Sequence, residues 1–106
     1  MPVDKEEDLV IGKDGGKKYD SDKPRWELLP LDAIEQVVKI MTFGAKKYED
    51  NNWKKVEPDR YIGAMLRHLC AHTKGEMLDQ DSGFSHLAHL TCNAVFLLWH
   101  LLNGNI

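Results

Sequence analysis

The chain is short of several things, and each shortage removes a class of function. It has two cysteines, Cys70 and Cys92, in no CxxC or zinc-ribbon spacing, so a cysteine metal site is not indicated. Both sit inside apolar helical patterns and read as small buried hydrophobes. No N-terminal apolar segment resembles a signal peptide, and no run approaches the roughly 20 apolar residues of a membrane span. A cytoplasmic protein with no membrane partner is expected. Positive charge is not in excess: 14 Lys and Arg against 17 Asp and Glu leave −3, which gives no general attraction for nucleic acid. No stretch alternates convincingly at period two, so sheet is nearly absent from the expected fold.

What is present is a globular balance, 42% hydrophobic and 29% charged over 106 residues, enough for one domain with a modest core. Residues 1–18 are polar and Gly-rich, with Leu9-Val10-Ile11 as an apolar island that could add a short strand or touch a neighbour. They read as a flexible arm, and 19–106 as the folded domain. Asp22 to Pro30 holds two prolines and reads as extended, with Pro30 suited to a helix first turn. Ile34, Val37, Val38 and Met41 then form one helical stripe to about Phe43. Gly44 could stop that helix, or Ala45-Lys46-Lys47-Tyr48 could continue it. Asp59 is a plausible N-cap for a helix over about 60–74, and Gly75 is its natural stop. Asp81 or Ser82 can cap a last helix over about 84–102. The expected fold class is therefore all-α, a small bundle of three to four helices. The last helix is apolar nearly all round, which a small bundle cannot bury alone, so a homo-oligomer, dimer or tetramer, is expected.

All five histidines lie from His68 onward. Tyr61, Met65, His68 and His72 share one sector of the middle helix, with Glu76 just beyond. His86, His89 and Asn93 share one sector of the last. If these helices are antiparallel neighbours, His72, Glu76, Asp79, His86 and His89 gather at one end of the bundle. Polar groups on apolar helices cost about 2–7 kcal/mol if unpaired. Each histidine alone could be a satisfied core residue, whereas two stripes and a carboxylate turn together read as a metal site. Carboxylates suit magnesium or manganese, and imidazole pulls toward manganese, cobalt or zinc. Lys23 and Arg25, then Lys46, Lys47, Lys54 and Lys55, can hold phosphate charge, while Tyr48 and Trp53 offer flat faces to a base. Trp53 could equally be a core anchor.

Taken together, Asp22-Lys23-Pro24-Arg25 through Leu29-Pro30, Thr42-Phe43-Gly44-Ala45-Lys46-Lys47-Tyr48 with Asn52-Trp53, Arg67-His68 leading to Gly75-Glu76-x-x-Asp79, and Ser82-Gly83-x-x-His86-Leu87-Ala88-His89-x-x-x-Asn93 resemble the phage dATP/dGTP diphosphohydrolase family. That family is related to the all-α MazG-type nucleotide pyrophosphatases and includes the MazZ enzymes. The resemblance covers about residues 18–102. It implies a MazG-like, oligomeric, helical enzyme of a phage host's cytoplasm. The implied reaction is hydrolysis of dGTP or dATP to monophosphate and pyrophosphate with Mg2+ or Mn2+. In a MazZ-like role the dGMP feeds 2-aminoadenine nucleotide synthesis. The implied site has Glu76 and Asp79 as metal ligands and Glu76, Asp79 and His86 as catalytic groups. Lys23, Arg25, Lys47, Asn52, Trp53, Arg67, His89 and Asn93 would bind substrate. MazG-type enzymes carry ExxE and ExxD pairs on facing helices, and this chain has His86-x-x-His89 where ExxD would stand. The rival readings are another metal-dependent nucleotide phosphohydrolase and a non-catalytic helical interaction domain.

Overall fold

The computed structural model describes residues 9–19 and 22–106; the expected arm's first eight residues lie outside them. The described residues fall into two compact units that divide after Pro30.

The first unit holds a hairpin of β1 (Leu9–Ile11) and β2 (Lys17–Tyr19), antiparallel with Leu9 opposite Tyr19 and Ile11 opposite Lys17. It is the departure from an all-α chain. Three residues per strand are too few to show alternation, and the turn carries the signal instead. Gly15 sits at φ +80°, a backbone conformation glycine adopts without steric cost, and Gly12 N–H donates to the Gly16 carbonyl at 2.6 Å. A single 3-10 turn, Trp26–Leu28, follows.

The second unit contains, among the described residues, three α-helices: α1 (Leu31–Lys47), α2 (Asp59–Thr73) and α3 (His86–Leu102). Helix α1 runs through Gly44, and the Gly44 carbonyl accepts Tyr48 N–H at 2.9 Å. Ala45, Lys46 and Lys47 are good helix formers, and this added turn outweighs the cost of one glycine, about 1 kcal/mol. The buried stripe is Val37 and Ile40, with Met41 packed beside it; Val38, expected inward, is half exposed.

Helix α2 starts one residue earlier than expected. Asp59 is its first helical residue and Pro58 holds the cap position without a side-chain cap bond. Asp59 still acts favourably there, since a carboxylate in the first turn complements the helix dipole. The stop at Gly75 is as read from the sequence. Gly75 has φ +93°, its N–H donates to the His72 carbonyl, and Glu76 N–H donates to the Ala71 carbonyl, both at 3.0 Å. This paired closure satisfies carbonyls the helix end would leave open.

Helix α3 is capped by Ser85, whose Oγ accepts Ala88 N–H at 3.0 Å, and not by Asp81 or Ser82. Those two residues are engaged in the loop before it, as described below. Tyr61 lies against Phe96 and His100, while His68 lies against His86 and His89. Early α2 thus meets late α3, and the two helices are antiparallel.

The core is Val37, Ile40, Tyr61, Ala88, Cys92 and Phe96, with Trp53, Val56 and Phe84 packed on it. Trp53 stacks on Phe96 with ring centres 4.5 Å apart and planes 9° apart. Its carbonyl accepts the Tyr61 hydroxyl at 2.5 Å and His100 Nε2–H at 3.3 Å. Asn105 Nδ2 donates to His100 Nδ1 at 3.0 Å, so His100 is the fully buried, fully satisfied histidine of the bland reading. Burial pushes the Cys92 thiol up to about 12, which suits an inert core residue. Cys70, by contrast, is exposed. Helix α3 buries one stripe, Ala88, Cys92, Phe96 and His100, and leaves Leu87, Val95, Leu98 and Leu102 exposed within the chain. One copy therefore does not bury this helix on all sides. Among the described residues no helix is long and apolar enough to cross a membrane.

Candidate functional site

The loop between α2 and α3 is built on Asp79. Its Oδ1 accepts backbone N–H from Asp81 at 2.8 Å and from Ser82 at 3.1 Å. Its own N–H donates to the Phe84 carbonyl and its carbonyl accepts Gly83 N–H, both at 2.8 Å. An Asp that bonds backbone two and three residues on is a turn-former that competes with helix capping, which is why Asp81 and Ser82 do not cap α3. The loop closes as a small hairpin, with Leu78 bridged to Ser85 and His86 N–H donating to the Met77 carbonyl at 2.9 Å.

That closure sets which histidines meet. The start of α3 lies beside His68, not His72. His68 Nδ1 and His86 Nδ1 are 2.8 Å apart and share one hydrogen bond. His68 also stacks on His89 at 4.6 Å and 7°, and His89 Nε2 shares a 2.6 Å hydrogen bond with Ser82 Oγ. His68, Asp79 and His86 bring three ligand-type atoms within 4.8 Å of one another. His86 is buried, and its Nε2 has no hydrogen-bond partner. Glu76 Oε2 lies 3.6 Å away, too long for a hydrogen bond. Leaving a buried polar atom in that state costs about 1–3 kcal/mol.

In front of this cluster lies a cavity of about 930 Å³ bounded by residues of α1, α2, α3 and the intervening loops. Lys47, Asn52, Trp53, Arg67, His89 and Asn93, all expected to hold substrate, line it, and so does Asp79. Glu76 and His86 do not. Lys47 reaches across from α1 to Asp81 Oδ2 at 3.1 Å, and its ammonium lies 5.6 Å from the centre of the Tyr48 ring. Trp53 forms a wall, yet one indole face is spent on Phe96, so it is a core anchor first. Lys23 and Arg25 belong to the first unit, where Arg25 Nε donates to Glu27 at 2.8 Å.

His68 was not singled out from the sequence as a site residue, although it shares the Tyr61–Met65 stripe. The missing information was the depth at which α3 begins, which the Asp79 loop decides. His72, expected at the centre, is one turn beyond the cluster.

Burial lowers His68, and the neighbouring His89 and His86 lower it further against the pull of Asp79. Burial also lowers His89, opposed by Asp79. For Asp79, burial works upward, but the backbone N–H groups of Ser82 and Asp81 and the two histidines outweigh it and hold the carboxyl below its ordinary value. A neutral imidazole pair beside an ionised carboxylate is the resulting state near pH 7, suited to binding a cation.

A family model described as dATP/dGTP diphosphohydrolase, N-terminal, matches residues 13–106. The chain belongs to that family. A dATP/dGTP diphosphohydrolase of Salmonella phage PMBT28 is 30% identical over 88 residues, covering 83% of this chain and 30% of the phage protein. The chain thus spans less than a third of that relative's length. No solved structure matches the chain significantly. The residues that carried the family resemblance are, within the second unit, largely those around the cavity and the Asp79 loop.

The lowered histidines make a stability prediction. A histidine held neutral by the fold contributes stability that is complete above its ordinary value of 6.5 and is lost as pH falls from there through its folded value. Chelator-treated protein should therefore show a falling melting temperature from pH 7.5 to 5.5, and His89→Gln should flatten that slope. Asp79 acts in a separate, more acidic window, below its ordinary 3.8. A melting temperature constant or rising as pH drops through 6.5 would contradict the assignment.

Proposed function

We propose that this chain hydrolyses a purine deoxynucleoside triphosphate, dGTP or dATP, to the monophosphate and pyrophosphate, with the substrate seated in the cavity before the Asp79 loop. The observation that carries the reading is that one cavity is lined both by the cations Lys47 and Arg67 and by Asp79 and His89. The name of the phage relative supports the same activity.

The cavity's charge supports a requirement for a divalent ion. Glu49, Asp50, Asp79 and Asp81 line it against Lys47 and Arg67, so a triphosphate entering alone meets more negative than positive charge. Asp79 and the adjacent imidazoles would hold such an ion, Mg2+ or Mn2+, which would supply the missing positive charge and acidify a water. The side chains do the rest. Arg67 holds phosphate oxygens with a planar, multi-donor group. Lys47 exchanges Asp81 for phosphate at small cost, since exposed ion pairs contribute about 1 kcal/mol or less. His89, whose Nε2 is shared with Ser82 Oγ, would accept a proton from the attacking water at its other ring nitrogen, and Asn93 would position the nucleotide. In-line attack at the α-phosphorus then releases pyrophosphate. In a MazZ-like role the dGMP formed feeds synthesis of the 2-aminoadenine nucleotide in the cytoplasm of a phage host.

Turnover of dGTP and dATP in ¹⁸O-labelled water, with Mg2+ or Mn2+, should place the label in the monophosphate with no diphosphate intermediate. Lys47→Ala should raise KM for triphosphate while shifting stability by no more than about 0.5 kcal/mol, the usual effect at an exposed site. Label in inorganic phosphate, with diphosphate as product, would replace this chemistry by that of a γ-phosphatase. No turnover of any triphosphate would favour the interaction-domain reading.

The exposed Val95, Leu98 and Leu102 face of α3 supports a homo-oligomer, dimer or tetramer, of MazG-like helical architecture. Light scattering at micromolar concentration should return a multiple of the 12.2 kDa chain mass; a monodisperse monomer would contradict it.

A further inference from the structure

Two facts about the histidine cluster remain unexplained by a simple hydrogen bond between His68 and His86. The shared bond needs one Nδ1 to carry a proton and the other to accept it. Whichever ring donates, His86 Nε2 is left buried without a partner, as an N–H with nothing to donate to or as a lone pair with nothing to accept. The second fact is direction. The two Nδ1 atoms face each other at 2.8 Å, an Asp79 oxygen lies within 4.8 Å of a ring nitrogen of each, and Glu76 lies on the opposite, Nε2 side of His86.

One arrangement accounts for both. If both Nδ1 atoms are bare and face a cation, the protons move to Nε2. His86 Nε2–H then points at the Glu76 carboxylate, 3.6 Å away, and a shift of a few tenths of an ångström closes that bond. A metal-bound imidazole that donates its other N–H to a carboxylate is a recurrent pairing that fixes the tautomer. Ligand atoms sharing one ion with bonds of about 2.0–2.2 Å lie roughly 3–3.5 Å apart; the two Nδ1 atoms at 2.8 Å need only part slightly, and the Asp79 oxygen, within 4.8 Å of both imidazoles, needs only a modest approach. His68 is held in place by its stack on His89 and His86 by burial. Asp79 is fixed through Oδ1 by two backbone donors, with Oδ2 as the oxygen to offer.

We propose that His68, Asp79 and His86 form a two-imidazole, one-carboxylate site selective for an ion of the manganese, cobalt and zinc class over magnesium, and that Glu76 acts through His86 rather than as a ligand. The donor set sets the selectivity: magnesium favours oxygen ligands and keeps its waters, while imidazole suits the later divalent metals. This deepens the hydrolase reading above and rests on it only for the use made of the ion. It also assigns Glu76, the residue expected from the sequence as a ligand, to positioning His86.

The test is direct binding to chelator-stripped protein, read without substrate. Titration with Co2+ should give visible absorption bands saturating at one ion per chain, retained in about a hundredfold excess of Mg2+. Pulsed EPR of bound Mn2+ in the wild-type protein should show ¹⁴N couplings from directly bound imidazole. Asp79→Asn preserves the Oδ1 acceptor that shapes the loop and removes the charge; with His68→Gln, it should abolish the bands. Glu76→Gln should weaken Co2+ binding about tenfold to a hundredfold without abolishing it. Absence of ¹⁴N coupling, displacement by equimolar Mg2+, or unchanged affinity in a folded His68→Gln variant would overturn the site. Co2+ binding as described without nucleotide turnover would remove the hydrolase reading and leave the site standing. Magnesium-supported turnover with no Co2+ site would do the reverse.

Discussion

The two hydrogen bonds that Asp79 accepts from the backbone of Asp81 and Ser82 set the geometry of everything around the cavity. They fold residues 76–85 into a closed turn, and that turn fixes the depth at which α3 begins against α2. From this depth follow the pairing of His68 with His86, the stack of His68 on His89, and the position of Asp81 opposite Lys47. The same carboxylate is held ionised by those donors, so one residue shapes the loop and supplies the charge at the cavity's end. Such double use makes the site sensitive: a side chain that kept the charge but lost the backbone bonds would let the helices slip.

The second organising contact lies at the far end of the helices. The Trp53 carbonyl takes two donors, from Tyr61 and His100, and its indole stacks on Phe96. This ties the connection between α1 and α2 to the end of α3, while Trp53 also lines the cavity. The cavity is thus held at both ends by polar bonds, at one end to the buried Tyr61 and His100 and at the other to the partly buried Asp79, with an apolar core between them. Unpaired, those groups would oppose folding; paired, they define one arrangement of three short helices.

Much of this was legible in the sequence, and what was not has identifiable causes. Helix stops at Gly75 and after Asn103 could be read because a left-handed residue is needed there and glycine supplies it. Lys47, Arg67, Asp79, His89 and Asn93 line one cavity; of these, His89 and Asn93 could be paired from the sequence because residues four apart share a helix face, while the rest are brought in by the packing of three helices and the loop. The start of α3 was misplaced because Asp81 and Ser82 are good caps in isolation, and only the Asx turn at Asp79 shows that they are already engaged. The choice of His72 over His68 is the same error carried one turn along α2. The Leu9-Val10-Ile11 island does form a short strand, as the sequence allowed, but its partner Lys17–Tyr19 escaped because three residues, two of them lysines, are too short to show alternation. Cys70 was read as buried from its apolar neighbours, yet the one stripe of α2 that packs inward passes through Tyr61 and His68 and leaves it outside.

The chain belongs to the dATP/dGTP diphosphohydrolase family, and the central proposal is spatial: that nucleotide phosphates and a divalent ion meet in front of His68 and Asp79. The most direct measurement is a crystal structure with Mn2+ and a dGTP analogue whose α,β-bridge cannot be cleaved. The account predicts an anomalous peak bonded to His68, His86 and Asp79, with the phosphates between that ion and Arg67. An ion bound at Glu76 on the outer side of His86, or a nucleotide outside the cavity, would contradict it.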